Sequence, residues 1–151
     1  MDLYDDHVVT CKHGPHTIHC HDRMSYVQNI IANEAGLKSH LEKIGLIVGR
    51  KDCHVDALFP MFCAGQDVYL DFMITHSLQP TFIDCAMGKS LVATKATVAN
   101  KHSDDDEKCC RNGLCLIAMA WETFGDSALE TRIMIHKITI RHVDKHNRSR
   151  G

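Results

Sequence analysis

The chain has 151 residues, of which 44% are apolar and 24% charged, with a formal net charge of −2. That length suits one domain with a core of its own and is too short for two, while the balance of charge excludes a polycation that coats nucleic acid along its whole surface. The charge is uneven: the last twenty residues carry Arg132, Lys137, Arg141, Lys145, Arg148 and Arg150 against Asp144 alone, a basic terminus on a near-neutral body.

No apolar stretch is long enough to span a membrane, and the start lacks the charged-then-apolar pattern of a secretory signal. An intracellular chain is therefore expected, and with it reduced thiols for the eight cysteines. Cys63, Cys85 and Cys115, in or beside apolar runs, then read as small core residues. The N-terminus differs, because His7, Cys11, His13, His16, His19, Cys20 and His21 crowd into fifteen residues. Imidazole and thiolate are the ligands zinc prefers, yet no closed pair-plus-pair spacing is present. A polar leader over residues 1–21 with incidental histidines and a metal knuckle both stay open.

Asp22 can cap a helix through Ala35 that Gly36 closes, with Met24, Val27, Ile30 and Ile31 at three- and four-residue steps. At about 100° per residue, Glu34 falls in the middle of that apolar arc. Either the helix frays there and Glu34 turns outward, or its carboxylate is aimed at a site. Residues 38–48 read as an extended stretch broken at Gly45.

Two short apolar runs follow, His54–Phe59 and Val68–Ile74, each read as a strand, joined by a loop from Pro60 to Asp67. Each carries one acid, Asp56 and Asp71. A carboxylate in such a run is costly to bury without a compensating cation. Two of them on neighbouring strands make an oxygen-rich site for a hard divalent cation such as Mg²⁺, which is the ground of metal-dependent phosphodiester chemistry.

Residues 89–102 have helical character through Leu91, Val92, Val98 and Ala99. On that wheel Lys95 lies near the centre of the apolar arc, with His102 beside it and Lys101 on one flank. Ser103–Glu107 reads as a solvated acidic loop. Leu114–Ala120 is a buried strand by its continuous apolar character, and residues 126–146 lean towards a helix.

The order helix, strand, strand, strand, helix, strand, helix is an α/β layer arrangement. A glutamate on the first helix and aspartates on the second and third strands resemble the ground plan of the PD-(D/E)xK nuclease fold. More narrowly, the chain resembles the restriction-endonuclease-like domain at the C-terminus of LINE-type, site-specific non-LTR retrotransposon reverse transcriptase polyproteins. The likeness is carried by Asp6-His7-Val8-Val9-Thr10-Cys11, His21-Asp22, Asn33-Glu34-Ala35-Gly36, Val55-Asp56-Ala57, Asp71-Phe72-Met73-Ile74 and Trp121-Glu122-Thr123-Phe124-Gly125, in that order.

The resemblance implies a three-layer fold over residues 22–151, a central mixed sheet flanked by helices, with His7 and Cys11 as half of a zinc knuckle. It implies Asp56 and Asp71, with Glu34 directly or through water, as ligands of Mg²⁺ or Mn²⁺, a lysine beside them, and DNA as partner. The chain departs from the pattern where Met73 stands two residues past the second acid. The retrotransposon branch moves its lysine to the next helix as K-x-x-K-Y, and here Val98-Ala99-Asn100-Lys101-His102 keeps only the second lysine. Alignment favours Lys101; helix geometry, with Lys95 one turn before position 98, favours Lys95.

Three readings of function follow: a metal-dependent DNA endonuclease that nicks its target, a catalytically decayed fragment that keeps the fold and only binds DNA, and a metal-binding module organised by the histidine-rich leader. The resemblance also implies a place in a longer reverse-transcriptase polyprotein and, in a eukaryote, the nucleus.

Overall fold

The computed structural model describes residues 15–44, 46, 54–76, 82, 91–123 and 125–148. His7, Cys11, His13, Cys85, Phe124 and Arg150 lie outside the described residues. Among those described, the fold is mixed α/β: helix α1 (Pro15–Glu34), strands β1 (His40–Ile44), β2 (His54–Cys63) and β3 (Gln66–Thr75), helix α2 (Val92–Arg111), strand β4 (Leu114–Glu122) and helix α3 (Leu129–Arg148). This is the expected order of elements.

The strands form one sheet in the order β1-β2-β3-β4. The first two pairings are antiparallel, and β3 pairs with β4 in parallel. A parallel pair needs a crossover, and α2 supplies it. Successive side chains of β3 face opposite ways. Val68, Leu70 and Phe72 pack with Ala32 of α1 and with Met134 and Ile138 of α3. Tyr69 packs with Leu58, Leu116 and Cys109 of α2. Thus α1 and α3 cover one face of the sheet and α2 the other. Fully burying side chains such as Phe59, Leu70 and Met119 contributes roughly 1.5–3 kcal/mol each. Cys63 and Cys115 are partly buried against the first of these clusters.

Several sequence expectations are corrected. Helix α1 starts at Pro15, so the boundary drawn between residues 21 and 22 falls inside a helix, and Asp22 does not cap it. Proline suits a first turn because the N–H it lacks has no partner there. The expected stop holds: Gly36 (φ 76°) donates to Asn33 O at 2.9 Å and Leu37 N to Ala32 O at 2.9 Å. These are the two bonds of a left-handed glycine cap.

The buried face of α1 is not its most apolar one. Ser25, Gln28, Ala32 and Ala35 are buried, whereas Val27, Ile30 and Ile31 are exposed. Small residues let the helix lie close to the sheet, and the larger ones stay outside, as much apolar surface does in soluble proteins.

The expected loop from Pro60 to Asp67 is mostly strand. Its turn is two residues, Ala64 (φ 49°) and Gly65 (φ 82°), between the paired Cys63 and Gln66. Two positive φ values in a two-residue turn match the right-handed twist of the flanking strands. Pro60 falls in the irregular stretch between Phe59 and Cys63, where a missing N–H costs no ladder bond.

The acidic run 103–107 belongs to α2, whose buried residues are Ala93, Thr94, Asp105 and Cys109. At the outer edge of β4, Ala118 N donates to Glu130 Oε2 (3.1 Å) and Ala120 N to Thr131 Oγ1 (2.9 Å). Ala120 O in turn accepts from Thr131 Oγ1 (3.1 Å) and Ala128 N (2.9 Å).

Candidate active site

Asp56 and Asp71 lie on neighbouring strands just past the end of a run of pairs. Ala57 pairs with Leu70, Leu58 with Tyr69 and Phe59 with Val68, and Asp56 and Asp71 follow one residue beyond the first of these. Their side chains are engaged from opposite faces of the sheet, Asp56 by α1 and Asp71 by α2, yet near enough that the charge of Asp56 acts on Asp71. The backbone N–H of Phe72 goes to Asp56 Oδ2 at 2.7 Å, so a carboxylate takes the donor at this end of the β2–β3 pair.

The surroundings of Asp71 come from α2. Lys101 Nζ lies 2.8 Å from Asp71 Oδ1 and 3.1 Å from Asp105 Oδ2, and Lys108 Nζ is 2.9 Å from Asp105 Oδ1. The Tyr69 hydroxyl donates to Asp71 Oδ1 at 2.8 Å, and its ring lies under the Lys101 ammonium, 5.8 Å from the ring centre. Burial pushes the Asp71 carboxyl above its usual range; Lys101 pulls it down, and the like charge of Asp56 adds to the rise. Burial alone would lower Lys101, but its bonds and attraction to Asp71 and Asp105 outweigh that and raise it. For Asp105 burial acts upward, while Lys108 and Lys101 outweigh it and hold the carboxyl below its usual range.

Asp56 is held from the other face. His21 of α1 places Nε2 3.1 Å from Asp56 Oδ2 and Nδ1 3.3 Å from Asp22 Oδ1. The hydrogen bond to Asp56 raises the imidazole to about 9 against the opposing effect of burial. Near neutrality it is a cation that donates through both nitrogens. A pocket of about 280 Å³ opens beside this pair, lined by His21, Ser25, Tyr26, Leu41 and Asp56.

The other expected site residues are apart from this cluster. Glu34 is exposed at the end of α1, thirteen residues after His21 and so about 20 Å further along the axis. Its backbone oxygen accepts from Lys145 Nζ at 2.9 Å. Glu34 follows the exposed Ile30 and Ile31, not the buried Gln28, Ala32 and Ala35, so it does not join the aspartates. Lys95 is exposed. Six residues before Lys101, it lies about 240° around the helix, and Lys101 is the lysine that reaches Asp71. His102 instead bridges Asp106 and Glu130, at 2.8 Å each, tying α2 to α3. Among the described residues no group of three or more His, Cys, Asp or Glu side chains is arranged to hold a metal ion.

Sequence reasoning missed His21, Tyr69 and Asp105 as members of the site. For His21 the signal was its seven- and eleven-residue steps to Gln28 and Ala32; for Asp105, the spacing Thr94, Val98, Lys101, Asp105, Cys109. Tyr69 had no signal beyond lying two residues before Asp71. No protein-family model, curated protein or solved structure matches the chain.

Ions such as Mg²⁺ or Mn²⁺ use one or two carboxylates, keep several waters and take further oxygens from a phosphate. Asp56 and Asp71 would supply the carboxylates, each of which here already holds a cation, His21 on Asp56 and Lys101 on Asp71.

Proposed function

We propose that the chain is a metal-dependent DNA endonuclease domain of the restriction-endonuclease-like class, akin to the C-terminal domain of LINE-type retrotransposon polyproteins. The observation that carries this reading is the Lys101 ammonium on the Asp71 carboxylate, with Asp56 on the neighbouring strand. Two acids and a lysine at the end of a strand pair, within a layered mixed sheet, are the parts phosphodiester hydrolysis needs.

Bound by Asp56 and Asp71, Mg²⁺ would acidify a water and stabilise charge on the scissile phosphate. Lys101, fixed by Asp71 and Asp105, orients the attacking water and offsets phosphate charge. Tyr69 holds the Asp71 oxygen shared with Lys101 and so fixes the carboxylate's rotamer. Exposed Arg132, Lys137 and Arg148 on α3 supply backbone contacts that give affinity without sequence choice. Arg141 and Lys145 are less available, since they donate to Phe62 O (3.3 Å) and Glu34 O (2.9 Å). Intracellular location, in the nucleus of a eukaryote, and membership of a longer polyprotein belong to this proposal.

A second reading, a decayed fragment that binds DNA without cutting it, is favoured by one observation. The His21 cation already sits on Asp56, and Glu34 is not beside it. Nicking of supercoiled plasmid with Mg²⁺ or Mn²⁺ separates the two. Nicking by the wild type that is absent in Asp71→Asn supports the nuclease. DNA retardation without nicking in either metal supports the fragment.

A further inference from the structure

A cavity of about 490 Å³ lies between α1 and the C-terminal ends of β3 and β4. Its walls are largely apolar, with Met24 and Val27 from the helix and Ile74 and Trp121 from the sheet. Besides the buried Glu122 at the end of β4, two features make it more than an oily cleft. Gln28 opens onto it from α1; the residue is only 7% exposed, and its amide has no hydrogen-bond partner among the described residues. Its two donors and one acceptor, bonded to no other described residue, are available to a ligand that presents a matching edge. Arg23, exposed at the rim, adds a positive charge where a ligand would leave the cavity.

Trp121 sets the shape. It stacks on Phe72 with ring centres 5.9 Å apart and planes 14° from parallel, so its orientation is fixed and the ring surface lining the cavity favours a flat aromatic guest. Phe72 is also the residue whose N–H bonds Asp56 and whose ring meets the edge of His21 at 6.4 Å. Phe72 thus lies between Trp121 and the His21–Asp56 pair.

We propose that the cavity takes one unstacked nucleobase, read by the Gln28 amide and stacked against Trp121, with Arg23 meeting the attached phosphate. A side-chain amide matches a base edge that offers a donor beside an acceptor, the pairing by which glutamine reads adenine. Aromatic stacking serves any base and contributes about 1–3 kcal/mol. This recognition stands apart from strand cleavage; only the assignment of the base to a DNA strand rests on the proposed nuclease.

Trp121 is the sole tryptophan of the chain, so intrinsic fluorescence reads occupancy directly. Adenosine monophosphate and a single-stranded pentanucleotide should each quench it saturably. Gln28→Met, which keeps the volume and removes the amide, should weaken both about tenfold with an unchanged circular dichroism spectrum. If that variant misfolds, Gln28→Leu carries the same comparison. Arg23→Ala should bring the nucleotide down to the affinity of adenosine. Tighter binding of the pentanucleotide assigns the base to a strand, and tighter binding of the mononucleotide assigns a free nucleotide. The proposal is overturned if a naphthalene sulfonate dye binds and the nucleotides do not, if inorganic phosphate competes them away fully, or if the Gln28 variants bind as tightly as wild type. Asp71→Asn should keep the quenching, so a protein that binds nucleotides yet never nicks DNA defeats the nuclease reading and leaves this one standing.

Discussion

The two aspartates sit on neighbouring strands, yet the protein holds them from opposite faces of the sheet and in different ways. Asp71 lies under α2, where Lys101, Tyr69 and the buried Asp105 form a closed set of hydrogen-bonded charges. Asp56 lies towards α1, where one partly exposed histidine and one backbone N–H hold it. The first arrangement fixes a lysine in place at the cost of desolvating three charges. The second keeps its cation near water and open to exchange. A site that must hold one group still while another gives way to a substrate has use for both.

The largest effect should come from the fixed side. Asp71→Asn or Lys101→Ala should lower Mg²⁺-dependent nicking by about 10²–10³-fold, followed as conversion of supercoiled to open-circle plasmid. Equal activity in the Lys101 variant would show that the lysine serves only the fold. Lys101→Ala also strips a buried pair of its cation, which costs roughly 3 kcal/mol in urea denaturation. His21→Ala removes a partner of Asp56 that is 34% exposed and should cost no more than about 1 kcal/mol. Similar losses on the two sides would break the contrast.

A smaller effect follows pH. Because the folded imidazole of His21 is raised from 6.5 to about 9, its pairing with Asp56 stabilises the fold fully below pH 6.5. That contribution fades as pH rises through about 9. NMR titration of the His21 ring should show the raised midpoint, and Asp56→Asn should return it towards 6.5. A midpoint near 6.5 in the wild type would show that the contact does not persist in solution. The smallest effects belong to the residues the fold sets aside: Lys95→Ala and Glu34→Ala should leave nicking unchanged and stability within about 0.5 kcal/mol.

The order of elements was legible in the sequence, as was the pairing of the two acidic strands, because breakers and apolar runs mark both. Lys101 was legible only through the resemblance. Helical geometry pointed instead to Lys95, because Asp104, Asp105 and Asp106 read as a loop. Cutting α2 short at residue 102 hid the stripe that buries Thr94, Asp105 and Cys109. Buried charges paired with each other look from sequence like a solvated run. Glu34 was misplaced for the opposite reason. The larger apolar residues of α1 suggest an inner face on their side, whereas close packing selects Ser25, Gln28 and Ala32, and Glu34 follows the outer one.

The first turn of α3 has a consequence for assembly. By taking Ala118 N, Ala120 N and Ala120 O for Glu130, Thr131 and the preceding Ala128, it uses up three of the groups to which a further strand would bond. Exposed edges invite such additions from other chains. A second molecule that sought to extend the sheet at β4 would first have to unseat α3, and Met134 and Ile138 would lose their burial with it. The C-terminal half of β4 is therefore closed to edge-to-edge aggregation by the same residues that anchor the last helix.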